Sequence, residues 1–397
     1  MMLFPTLTTA IRRDFAGTIF RYGPAAVALV YPLALAALHL SGQHFVRATA
    51  TTNRLLAGFA IFLAAALIYA VPLISFTVIS RSDRPRERYL AHLAFAAPPL
   101  FTLTGVTFFF LGVPNGDYVV WAIAWLAALA FAASSARARA IPAASTNWIR
   151  NAHGITGLTI VVIFLVWHLA NHVLAIWSLD TNKQAMELLR VWYRADLVQP
   201  VLIALLGWQL VTGLRLLWAK VARAGDVYSS IQTATAVYLL VYIPSHLIAV
   251  FILGRWFLGV DTTFAWASGA PSGLLLDAWN VRLIPHYSLA VLFVIGHLAV
   301  GLRAVLLGHG VAVPVADRAA WIICSTGLAL AIIIAIAQLA ASVFGAPQSS
   351  ASYTTQAATM SAVPIKLPSM GTRNQHRQEI AAKAPPTRAR IGFSHEI

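Results

Sequence analysis

Of the histidines that lie within or at the ends of apolar stretches, six draw attention by their depth and spacing: His153, His168, His172, His246, His286 and His297. Ionisable groups are costly inside a bilayer, so their presence there points to function. A neutral imidazole is also a ready metal ligand. Spacing gives their depth. His168 follows His153 by 15 residues, about 22 Å along a helix. His246 follows Gln232, where its own stretch begins, by 14 residues, about 21 Å. Both stretches run the same way, so His168 and His246 share a level. Two neutral imidazoles at one level in a helix bundle make an axial pair for haem iron. Gln209 is 13 residues past Asp196 and His297 is 14 past Leu283, on stretches that run the opposite way. They share a second, inner level. Arg215 and Arg303 each come six residues later, where a cation suits a haem propionate or snorkels to headgroups. Gly154, Gly157, Gly207, Gly213, Gly296 and Gly301 leave room for a flat macrocycle or a close helix. His153 reads as a helix-end residue at headgroup level. His172 shares the face of His168 and is placed to replace it or bond a propionate.

The elements that position these residues follow from composition. The chain has 397 residues, 59% hydrophobic and 10% charged. Soluble domains carry about 25% charged residues, so a soluble enzyme, a disordered chain and a nucleic-acid binder are excluded. Apolar runs of about 20 residues predict an all-α polytopic bundle of nine spans, at 24–45, 55–79, 90–112, 118–136, 152–178, 196–219, 232–258, 283–307 and 318–344. Three regions follow: a four-helix region over 1–140, a five-helix region over 145–345, and a basic tail over 346–397, read as disordered. The net charge of +15 comes from cations in the short gaps, which predicts a cytoplasmic N-terminus by the positive-inside rule. The single cysteine, Cys324, excludes intrachain disulfides, iron–sulfur ligation and covalent haem attachment.

Residues 148–176 resemble the first helix of the cytochrome b membrane anchor of succinate:quinone oxidoreductases and quinol:fumarate reductases. Arg150, His153, Gly157, His168, Asn171 and His172 carry the likeness, with one residue fewer between the last two histidines than in the family pattern. The later spans follow the family's order, so the likeness covers roughly 145–345. It implies haem b ligands at His168 and His246 for a distal haem, and at His297 for a proximal one. The family's partner for that last ligand falls on Gln209, a departure that puts the proximal haem in question. Spans one to four are outside the family pattern. Span one ends in His39-Leu40-Ser41-Gly42-Gln43-His44, an echo of 168–172 consistent with a degenerate duplication.

The first expectation for function is an electron-transfer subunit that binds haem b and uses a quinone as substrate. The resemblance implies iron–sulfur and flavoprotein subunits docked on the cytoplasmic face of a bacterial inner membrane. Arg194, Asp196, Gln199, His172 and His286 are the quinone candidates, as hydrogen-bond donors and proton sources near an outer haem. The alternatives are a haem-free transporter and a structural or assembly protein. Two four-helix halves suit a transporter. The absence of Asp or Glu in the middle of any span weighs against one.

Overall fold

A computed structural model describes residues 4–134, 147–218 and 220–344. The expected tail over 346–397 and the end of the span expected at 118–136 lie outside the described residues. The chain runs α1 (Phe4–Arg47), α2 (Thr51–Arg81), α3 (Pro85–Phe95), α4 (Ala97–Phe110) and α5 (Gly116–Ala133). It continues with α6 (Asn147–Ile160), which passes through a π-helical segment, Val161–Leu165, into α7 (Val166–Leu174). Then come α8 (Leu179–Tyr193), α9 (Val198–Trp218) and α10 (Val227–Leu247), extended by a second π-helical segment, Ile248–Phe257. The short α11 (Phe264–Ala267) precedes α12 (Leu283–Gly308) and α13 (Val313–Phe344). No strand occurs among the described residues.

Among the described residues eight helices are long and apolar enough to cross a bilayer, and the chain is a multi-pass membrane helix bundle. The ninth expected crossing is a bent pair: α3 and α4 meet at 60°. The cause is local. Pro98 and Pro99 supply no N–H, and Pro98 restrains Ala97. The helix therefore stops at Ala96 and restarts with proline in its first turn, where proline is tolerated.

Packing joins the two expected regions through shared cores. Tyr31, Ile68, Val71, Phe101, Trp121 and Trp125 form one core in the first five helices, closed by Val281 from the segment before α12. Val78, Ile79, Ala91 and Phe95 pack with Ala234 and Tyr238 of α10 and Leu289 and Ala290 of α12. Lipid is as apolar as these side chains, so close packing and internal hydrogen bonds hold such helices together. Trp121 Nε1 donates to the Ala28 carbonyl at 2.8 Å, and Gly327 lets α13 close on Ile295 of α12. The Arg282 guanidinium pairs with Asp117 at 3.0 Å, with both side chains buried, and lies 3.9 Å over Trp279 and 4.5 Å over Phe101.

Helix α8 was not among the expected elements. Ser178 caps it, accepting from the Thr181 amide at 2.9 Å. Asn182 donates to the Asn171 carbonyl at 2.6 Å, while Leu188, Val191 and Trp192 stay exposed. A charged helix with an exposed apolar stripe suits the membrane interface.

Candidate functional site

The helices bring the histidines into two layers. In the first, His168 and His172 come from α7 and His246 from α10. The His168 and His246 rings are 6.3 Å apart, centre to centre, with planes inclined at 67°. His172 Nε2 lies 3.2 Å from His168 Nε2, one of the two nitrogens donating. Phe164 stacks on His168 at 4.9 Å, and Phe264 flanks His172 at 5.5 Å. His286 of α12 joins through Tyr242, whose ring is 4.6 Å from His286 and stacks on His246 at 5.5 Å. The π-helical segments begin or end within three residues of His168 and His246. Such segments shift helix register and favour functional sites. Pro244, two residues before His246, removes a backbone donor and loosens α10 where its helix widens.

The Nδ1 atoms of His172, His246 and His286 are buried without a hydrogen-bond partner, as is Asn171 Oδ1. A buried polar atom left unpaired costs about 1–3 kcal/mol. No three His, Cys, Asp or Glu side chains among the described residues converge as a metal cage. The arrangement offers imidazoles in pairs.

The second layer differs from expectation. His153 of α6, read as a headgroup-level residue, has its ring 6.4 Å from that of His297 on α12, with planes inclined at 78°. Gln209, expected opposite His297, donates from Nε2 to the His153 carbonyl at 2.8 Å, and its Oε1 is buried without a partner. Gly157 gives the amide its place, since a Cβ there would lie 2.8 Å from Gln209 Nε2. Arg303, a candidate propionate partner, is committed elsewhere: its Nε donates to Asp317 at 2.6 Å and its guanidinium covers Tyr228 at 3.6 Å. Arg215 is exposed near the end of α9.

The expected quinone residues are not drawn together. Asp196 is exposed in the turn before α9. Gln199 accepts from Arg255 Nη1 at 3.2 Å, and His286 sits with Tyr242. Arg194, with Arg190, instead binds Asp261, at 3.6 and 2.8 Å. Partial burial works against the Asp261 carboxylate, but the Arg190 hydrogen bond and the two guanidinium charges outweigh it and hold its pKa below the usual carboxyl value.

The missed residues had a faint signal. Thr212 and Thr235 are hydroxyls inside spans, a type that bonds across membrane helices, and each proves to contact a histidine of the second layer. No protein-family model, curated protein or solved structure matches the chain.

Proposed function

We propose that this chain is a membrane cytochrome b subunit, which holds haem b among its helices and passes electrons between a docked iron–sulfur subunit and a quinone. The convergence of His168 and His246 carries the proposal. Imidazole–metal bonds of about 2 Å put two axial nitrogens about 4 Å apart, and each ring centre lies about 1 Å further out. Ring centres about 6 Å apart are therefore what a bis-imidazole site needs, and these are 6.3 Å apart. The unpartnered nitrogens of the layer also fit a site that an external group completes.

Haem bound there supplies a one-electron carrier. The chain's own residues ligate, orient and enclose it. His168 and His246 would hold the haem iron. The His168 Nε2 now shared with His172 at 3.2 Å would have to leave that contact to take the iron, while Phe164 and Tyr242 fix the ring planes of His168 and His246 by stacking. Of the expected quinone contacts, His172 lies in this layer and His286 adjoins it through Tyr242. The iron–sulfur and flavoprotein partners, the bacterial inner membrane and the cytoplasmic N-terminus extend the family resemblance and the charge pattern.

A reduced-minus-oxidised spectrum with a pyridine haemochrome count tests this. The expected result is a b-type spectrum that loses one haem in His168→Ala and in His246→Ala. A folded, monodisperse protein with no haem overturns it. One observation favours a haem-free structural protein: the His168–His172 contact satisfies the ligand nitrogen within its own helix.

A further inference from the structure

We infer that the second layer is also a bis-imidazole haem site, with His153 and His297 as axial ligands, and that Gln209 positions His153 without being a ligand. This rests on the haem b reading above and extends it to His153, which the family resemblance does not assign as a ligand.

Four helices build the layer, each giving one residue. Helices α6 and α12 give the imidazoles, and α9 and α10 give the hydroxyls that set them. His153 Nδ1 lies 2.8 Å from Thr212 Oγ1, and His297 Nδ1 lies 3.1 Å from Thr235 Oγ1. The hydroxyl protons are already used. Thr212 Oγ1 is 2.7 Å from the Trp208 carbonyl, and Thr235 Oγ1 is 2.6 Å from the Ile231 carbonyl. Two oxygens that close repel each other unless the hydroxyl donates. Each threonine therefore donates to its carbonyl and accepts from the imidazole, so both histidines carry their proton on Nδ1. With the proton on Nδ1, the Nε2 of each ring carries the lone pair that a metal ion would take; the His297 ring also hydrogen-bonds the Gln232 backbone. An outer hydrogen bond on Nδ1 that fixes the tautomer is how metal-ligating histidines are held.

Spacing and room agree. The 6.4 Å between ring centres meets the same requirement as in the first layer. Gly296, buried beside His297, has nothing within 4 Å of the place a Cβ would take. Gly301, half-buried one turn further along α12, is equally open. The Gln209 amide is engaged on the His153 carbonyl, midway along α6, which ties α6 to α9 at the level of the ring.

Haem stoichiometry on the purified full-length chain tests the inference. The expected count is two haems per chain, falling to one in His153→Ala and in His297→Ala, with the His168-dependent haem retained. Gln209→Leu is expected to keep two. Two further variants guard against misfolding. His153→Gly should regain the second haem when free imidazole is added. His297→Met should keep two haems and raise the midpoint potential of one, since a His/Met pair raises potential. One haem in the wild type, lost in His168→Ala and unchanged in His153→Ala, overturns this inference and leaves the proposed function standing. Two haems in His153→Ala and one in Gln209→Leu also overturn it, because the glutamine would then be the ligand. No haem in any folded variant removes both.

Discussion

Asp117→Asn tests the contact that ties the first helices to α12. Asn keeps the volume of Asp and removes the charge. The change leaves the Arg282 guanidinium with 2% of its side chain exposed, no counter-ion, and an Nε already without a partner. Removing one member of a buried pair costs about 3–5 kcal/mol, because the remaining charge stays desolvated. The rings of Trp279 and Phe101 already cover the guanidinium and offer nothing new to offset that loss. At the roughly 2–4 °C per kcal/mol of larger domains, the melting temperature should fall on the order of 10 °C. Tryptophan fluorescence during heating in detergent reads it, with Glu187→Gln as control. Glu187 pairs with Lys183 at 3.9 Å with both side chains more than half exposed, and such surface pairs contribute about 0–1 kcal/mol. The double variant Asp117→Asn/Arg282→Met should recover part of the loss, since it removes the uncompensated charge. An Asp117→Asn shift no larger than that of Glu187→Gln would refute the reasoning.

Two other changes probe neighbouring features. Gly105→Ala puts a methyl group against Arg282 Nη1 and 2.6 Å from Trp279, and overpacking of this kind costs about 1–3 kcal/mol; a melting temperature equal to wild type would show that the site yields. The Asp261 carboxyl, lowered by its arginines, contributes stability that is present above its unfolded pKa, near 3.8, and lost as pH falls through the folded value. Melting temperatures of wild type and Asp261→Asn should therefore differ by a constant amount above about pH 5 and converge in more acid solution. A difference that is flat down to pH 3 counts against the ion pair.

The crossings were legible because a bilayer demands long apolar runs, and each of nine runs became a helix or a bent helix pair. Helix α8 was not. Its 15 residues mix Asp180, Lys183, Glu187 and Arg190 with apolar ones, below any threshold for spanning. Depth counting set His168 beside His246 because both lie deep on their helices. It paired His297 with Gln209 because it measured each helix from its own start. Tilt and rotation, which packing sets, bring His153 to His297 instead. Arg282 and Asp117 were visible as charges in separate loops, but their meeting depends on how α5 stands against the start of α12, which no local pattern encodes.

Helix α10 is a party wall. One face carries Thr235 and His246 toward the histidine layers. The other receives His92, whose Nε2 is 3.1 Å from Thr233 Oγ1, and Phe95, whose ring meets Tyr238 at 6.3 Å. A shortened protein beginning near residue 145 would strip that second face and turn Thr233, Ala234 and the fully buried Tyr238 toward lipid. The first crossings are thus a built-in lodger where a separate subunit would otherwise have to dock, and gene truncation would have to resurface α10 before the remaining helices could stand alone.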